Sequence, residues 1–284
     1  MRSDACYCSI RSMERTLYIS DLDGTLLNHE QRVSYFTADI IRSLVDQGVF
    51  FSYATARSIV TAAKVTQGLV LRTPAILMNG AFTIDTSNGN ILRSHYFTAK
   101  ESDQIIDCLL RHGIYPLVYA HIGGTEKFSY CPDLINDKVK WFLNTRKNDI
   151  RDNPVVSAET LRTGQIFYFS CIDTQEKLHP IYQALQDSYT CIYHRDIYSG
   201  DQWLELLPPG VSKASAVLDL KETLGCDRIV TFGDDINDIA LFKVSDECYA
   251  VENAVPDLKE IATGIIGSND ADGVAMWLRE NAIK

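Results

Sequence analysis

The sequence predicts an α/β protein, a doubly wound parallel sheet interrupted by an inserted α+β module. Three observations carry that expectation. Short apolar runs rich in β-branched and aromatic residues stop abruptly at small or polar residues, as buried parallel strands do. Segments with apolar residues at helical spacing alternate with those runs. Between residues 81 and 207 the pattern changes to hairpin-like stretches mixed with helices, the mark of a separate module.

The elements follow in order. "TLYIS" (16–20) is the first strand. "TADIIRSLVDQG" (37–48) is the first helix, with Ile40, Ile41, Leu44 and Val45 at helical spacing and Gly48 as its stop. "VFFSYAT", ending at Thr55, is a second strand; a helix runs from Ser58 through Val65, and "AILMNG" (75–80) is a third strand. "AFTIDTSNGNILRSHYF" (81–97) reads as strand around a turn at Asn88-Gly89. Then come a helix in "AKESDQIIDCLLRHG" (99–113), strands in "IYPLVYAHI" (114–122) and "TGQIFYFSCID" (163–173), and a helix near Glu176–Gln186. "TCIYHRDIY" (190–198) and "QWLELLPPG" (202–210) close the module. "ASAVLDLKETLG" (214–225) is helical with Gly225 as its cap, and "RIVTFGD" (228–234) is a further buried strand. The expected division is a parallel-sheet core from 1–83 and 209–284, with 84–208 inserted as a lid over the strand ends. Sheets of this class bind ligands outside the carboxyl ends of their strands.

Composition narrows the function classes. The chain has 284 residues, 46% hydrophobic and 23% charged, enough for one large domain or two modest ones. A formal net charge of −10 and the lack of a dense Lys/Arg run argue against nucleic-acid binding. Acidity leaves phosphorylated small molecules open, because a local metal ion reverses the field inside one pocket. Eight scattered cysteines match no zinc spacing and read as reduced thiols, Cys6 and Cys8 as tail residues without a role. No apolar run approaches the roughly 20 residues of a membrane helix, and "MRSDACYCSIRSMER" lacks the apolar stretch of a signal peptide. The expectation is a cytoplasmic protein with no nucleic-acid, membrane or protein partner.

The chemistry concentrates at the strand ends. Asp21 and Asp23 follow the first strand, Thr55 ends the next, Lys213 opens a helix, and Asp234, Asp235, Asn237 and Asp238 follow "RIVTFGD". Residues two apart in a strand stand nearly 7 Å apart along it, so Asp21 and Asp23 reach one centre only if the chain turns, which Gly24 permits. Two close carboxylates need a compensating cation, proton or reaction partner. Asp235 reads as a solvated turn residue. Arg57, Asn79 and Asn253 have weaker readings, the first equally as a substrate contact or an exposed helix-start arginine and the second as a turn residue. Trp203, His121 and Tyr119 read as sheet positions of the insertion rather than as site residues.

At these residues the sequence resembles the haloacid dehalogenase superfamily. "DLDGTL" (21–26), Thr55 in "ATAR", Lys213 in "GVSKASAV" and "GDDIND" (233–238) look like its four motifs in their usual order. "MNGA" (78–81), "VENAVPDLKEIA" (251–262) and the insertion are similar to the Cof-type phosphatase branch with a type IIB cap. The resemblance covers nearly the whole chain beyond the N-terminal tail. It implies a Rossmann-like core, an α+β cap and Mg²⁺-dependent phosphoryl transfer to water from a small phosphorylated metabolite. Sugar phosphates lead, with FMN and pyridoxal phosphate behind; a sugar phosphomutase and a non-catalytic ligand-binding relative are the alternatives. Asp21 is implied as nucleophile and Asp23 as general acid and base. Asp21, the Asp23 carbonyl and Asp234 are implied on Mg²⁺, with Asp238 holding a metal-bound water or orienting Lys213. Thr55, Lys213, Asn237 and the backbone near Leu22 and Ala56 are implied on the phosphoryl oxygens. Ala56 and Ala214 stand where the family often has glycine, which predicts an altered substrate fit. Phosphate monoesters need up to about 10²¹-fold acceleration, so no single group suffices.

Overall fold

The computed structural model describes residues 14–195 and 200–283. Cys6, Cys8 and the last residues of the expected strand 190–198 lie outside them. In chain order the elements are β1 (Thr16–Ser20), α1 (Tyr35–Asp46), β2 (Phe50–Tyr53), α2 (Ile59–Val65), β3 (Ala75–Leu77), β4 (Phe82–Ile84) and β5 (Ile91–Ser94). Then follow α3 (Ala99–Arg111), β6 (Leu117–Ile122), β7 (Thr125–Tyr130), α4 (Asp137–Asn144), β8 (Asp152–Pro154), β9 (Gln165–Asp173) and α5 (Gln175–Leu185). Next come β10 (Thr190–Arg195), β11 (Gln202–Leu207), α6 (Lys213–Leu224), β12 (Arg228–Gly233) and α7 (Ile239–Phe242). The last are β13 (Glu247–Val251), α8 (Pro256–Ile261), β14 (Gly264–Ile266) and α9 (Gly273–Asn281).

β14, β13, β12, β1 and β2 form a parallel sheet in that order. The chain moves outward from β1 to β2 on one side and from β12 to β14 on the other. The switch point therefore falls between β1 and β12, where such sheets open a ligand crevice. Both faces are covered, as parallel strands require. Leu17 and Ile19 pack with Val217 and Leu220 of α6 on one face; Tyr18, Phe51 and Phe232 pack with Leu44 of α1 and Trp277 of α9 on the other. The expected α/β class and its helices are present. Ser34, Ser58 and Ser212 cap α1, α2 and α6 through backbone N–H groups three residues on, and Gly225 ends α6 in the left-handed conformation.

β10, β11, β9, β6, β7 and β8 form a second sheet, antiparallel except where β8 joins β7. α3 and α5 cover one of its faces, burying Ile105, Leu109, Leu178 and Ile181 against Val118, Phe169 and Leu204. The other face turns toward the parallel sheet. In β9, Phe167 and Tyr168 together oppose Tyr119 of β6, because Ala120 pairs with Ile166 and Tyr119 with Tyr168. That bulge sends both rings to the inner face, Phe167 against Phe82 and Tyr168 toward Asn79.

The expected third strand is shorter and differently paired. β3 touches the parallel sheet through one parallel bridge, Ala54 to Ile76, and pairs antiparallel with β4, which pairs with β5. Residues 84–94, read from sequence as part of the insertion, thus belong to the sheet of β3. Met78, Asn79 and Gly80 all have positive φ in a tight turn. A Cβ at Gly80 would overlap the Ser212 backbone, so this turn packs directly on the start of α6. The six cysteines among the described residues are free thiols. No helix there is long and apolar enough to cross a membrane.

Candidate active site

Strand register assembles the site. Ser20 pairs with Phe232 on one side and Tyr53 on the other, so β1, β2 and β12 end level. Asp21, Thr55 and Asp234 are carried to the same edge. Past Asp21 the chain leaves the strand: Gly24 takes φ +74°, and Leu22–Leu26 closes a wide helical turn sealed by the Leu27 N–H on Leu22 O at 2.8 Å. A Cβ at Gly24 would overlap the Asp234 carboxylate. Glycine is therefore required twice here, by φ and by that close approach. Asn253 Nδ2 donates to Gly24 O at 2.7 Å and holds the turn from outside.

Lys213, the first residue of α6, is buried between two carboxylates. Its Nζ donates to Asp21 Oδ1 at 2.6 Å and to Asp238 Oδ1 at 2.7 Å. Asp238 Oδ2 accepts the Asp234 N–H at 3.1 Å, locking the turn after β12. Thr25 Oγ1 donates to Asp234 Oδ1 at 2.8 Å. Within the protein's own charges, burial pushes the Asp21 carboxyl up to about 7, with Asp238 and Asp23 adding to the rise and Lys213 opposing it. Burial, reinforced by Asp21 and Asp238, pushes Asp234 up to about 9. Burial lowers the Lys213 pKa, but its two carboxylate partners outweigh that and hold it above the usual lysine range.

Ligand atoms of Asp21, Asp234 and Asp238 lie within 4.8 Å of one another. Hard carboxylate oxygens, this close and with one ammonium group among them, suit a hard divalent cation such as Mg²⁺. The donor set fits the metal that the sequence motifs imply.

The other expected residues divide. Thr55 is fully buried and its Oγ1 accepts the Arg57 N–H at 3.1 Å. The Leu22 side chain is buried in the core, leaving only its backbone for the site. Asn237 lies in the turn before α7, its buried Oδ1 without a partner. Asp235 accepts from the Ile236 N–H and caps its own turn. Asp23 is not one of these three clustered carboxylates; Arg57 grips it with Nε at 2.7 Å and Nη2 at 2.5 Å.

Beside these groups opens a cavity of about 490 Å³ between the two large sheets. Asp23, Ala56 and Arg57 line one end; Tyr119, Arg146, Tyr168, Ser170, Trp203 and Glu205 line the other. Two hydrogen bonds tie its walls together. Asn79 Nδ2 donates to the Tyr168 hydroxyl at 2.9 Å, and buried Arg151 donates from Nη1 to Ser58 Oγ at 2.5 Å while paired with Asp149 and Glu126. Tyr119 and Trp203, which the sequence presents as sheet positions, line this space. His121 does not; it sits among Tyr96, Phe82 and Phe167. Arg146 and Glu205 were missed, and only the alternation of β11 that puts Glu205 beside Trp203's face hints at the latter.

Comparison with known proteins bears on the family and the fold. The family model for haloacid dehalogenase-like hydrolases matches residues 18–278. A putative phosphatase of Buchnera aphidicola subsp. Schizaphis graminum is 27% identical, over 93% of this chain and 95% of its own. The Bacillus subtilis 5-amino-6-(5-phospho-D-ribitylamino)uracil phosphatase YwtE is 28% identical, over 91% of this chain and 95% of its own. The structure of TM0651 from Thermotoga maritima superposes with a TM-score of 0.75 at 23% identity, covering 96% of this chain and 99% of that one, a likeness of fold.

Proposed function

The chain belongs to the haloacid dehalogenase-like hydrolases and is a phosphatase, and on that premise we propose that it is a Mg²⁺-dependent, cytoplasmic enzyme hydrolysing small phosphorylated metabolites through an aspartyl-phosphate. One observation carries the reading: a buried Asp21–Lys213–Asp238 chain, with Asp234 beside it, stands at level strand ends next to a cavity. In this reading residues 1–83 and 209–284 are the core and 84–208 the cap, and the pairing of β4 and β5 with β3 supports moving the first boundary past residue 94.

Asp21, Asp234 and Asp238 would hold Mg²⁺ with the Asp23 carbonyl, and the ion would supply positive charge to the transferring phosphoryl oxygens. Asp21 attacks phosphorus and the bond to the leaving alcohol breaks, while Asp23 gives that oxygen a proton. Asp23 then takes a proton from water, whose oxygen attacks phosphorus, freeing Asp21 and inorganic phosphate. Both Asp23 oxygens accept from Arg57, and each keeps a second lone pair for the transferred proton. Lys213 orients Asp21 and balances charge, and the Thr55 hydroxyl, which accepts from Arg57 N–H, keeps its own proton to donate to phosphate. Asn237 and the backbone at Leu22 and Ala56 complete the phosphate cradle.

Candidate substrates are sugar phosphates, FMN, pyridoxal phosphate and the phosphoribitylamino-uracil in the Bacillus relative's name. The test is phosphate release from that panel with and without Mg²⁺, wild type beside Asp21→Asn. Turnover that requires both the ion and Asp21 supports the reading; turnover surviving Asp21→Asn refutes it.

A further inference from the structure

The far wall of the cavity holds polar atoms that the protein itself leaves unmatched. Arg146 Nε, Ser170 Oγ and Trp203 Nε1 are buried without a hydrogen-bond partner, and all three residues line the cavity. Buried polar atoms are ordinarily satisfied, so three orphans on one wall mark where another molecule bonds. Rings hold them in place. Trp203 meets Phe142 edge-to-face at 5.1 Å, and the Arg146 guanidinium lies 4.3 Å over the Phe142 ring. Glu205, two residues from Trp203 on β11, faces the same space; it is hydrogen-bonded to the Tyr168 side chain, and burial raises its pKa.

The polarity of this wall is specific. An indole N–H and a guanidinium N–H can only donate, whereas the Glu205 carboxyl, already hydrogen-bonded to the Tyr168 side chain, keeps lone pairs that accept a further N–H. Their complement is a flat group with two acceptors and one donor, the edge of a cyclic imide, in which carbonyls flank an N–H. A sugar hydroxyl donates and accepts alike and makes no use of the difference. Resting on the phosphatase reading above, we propose that Arg146, Trp203 and Glu205 are the specificity-determining residues of this enzyme. They read an imide-bearing heterocycle at the far end of the leaving alcohol, with the aromatic side chains against the ring face.

The experiment compares 5-amino-6-(5-phospho-D-ribitylamino)uracil with D-ribitol 5-phosphate, which lacks the ring. Sites built to hydrogen-bond a group discriminate strongly against analogues without it, so the wild type should favour the ring-bearing compound by about 100-fold or more in kcat/KM. That preference should fall at least about tenfold in Glu205→Gln, and also in Trp203→Phe, which keeps an aromatic ring but removes the indole N–H with its fused five-membered ring. Should one variant fail to fold, the other decides. Equal use of the two compounds by wild type, or a preference untouched in the folded variants, overturns the proposal. If neither these compounds nor p-nitrophenyl phosphate is hydrolysed with Mg²⁺, the phosphatase reading fails instead. Calorimetric titration with the same pair then decides the subsite: tighter binding of the ring-bearing compound, weakened by Glu205→Gln, supports it, and equal binding overturns it.

Discussion

The strand-end cluster and the far wall of the cavity that opens beside it are built on opposite terms. At the strand ends, Asp21 and Asp238 share Lys213, Asp234 takes Thr25, and Asp23 takes Arg57. On the far wall, Arg146, Ser170 and Trp203 keep buried atoms without partners. Wiring among the protein's own groups fixes the geometry that phosphoryl transfer needs whatever the substrate. Groups left unmatched hold their bonding capacity for one particular ligand. The contrast separates the reaction from the choice of substrate, and each end can be broken alone.

The largest effect should come from the wired end. Asp21→Asn should lower kcat by on the order of 10⁴-fold or more, as loss of a nucleophile does, measured as phosphate release by protein of verified fold. Chelation should lower activity by about 100-fold or more, with recovery on adding Mg²⁺.

The same ion should also stabilise the fold in a pH-dependent way. Asp21 and Asp234 have folded pKa values raised to about 7 and about 9, so without metal the folded state binds more protons than the unfolded one. Stability then falls as pH rises from the ordinary carboxylate range through those values. Mg²⁺ favours the ionised forms and should raise Tm by about 5 °C or more at pH 8 when saturating, and by less at pH 5. Thermal melts with chelator and with Mg²⁺ at both pH values check this; equal shifts would contradict it.

Gly24→Ala forces a Cβ into a left-handed position and into the Asp234 carboxylate. It should cut kcat by roughly 100-fold, because small misplacements at a reacting centre are costly, with a modest fall in Tm. The smallest effect should lie between the ends. Tyr168→Phe removes the acceptor for Asn79 Nδ2 and should cost about 1–3 kcal/mol, read from denaturant unfolding.

Much of the wired end was legible in the sequence. Asp21, Thr55 and Asp234 each end an apolar run, and level parallel strands bring such ends together. Lys213 was legible from its place at a helix start after "PPGVS". The grip of Arg57 on Asp23 was not, because residues 34 apart meet only through the α2 start and the Gly24 turn. β14 escaped reading because it has only three residues, and β13 because Glu247 opens it and breaks its apolar run. Residues 123–162 suggested no element, yet α4 and the turn after it bring Phe142 and Arg146 to the cavity. Four spaced apolar residues in so short a helix make too weak a period to read.

Local sequence determined what periodicity and chain termination can determine where the pattern is strong: which segments are strand or helix, about where each stops, and which reactive side chains stand at the stops. The tertiary structure alone decided which sheet the hairpin of β4 and β5 joined, since its alternation suits either sheet. It alone decided the β9 bulge, which no glycine announces and which turns Phe167 and Tyr168 to the same side. It alone placed Arg146, Trp203 and Glu205 on one wall. Periodicity reports which face of an element is apolar; what that face meets is set by packing between elements far apart in the chain.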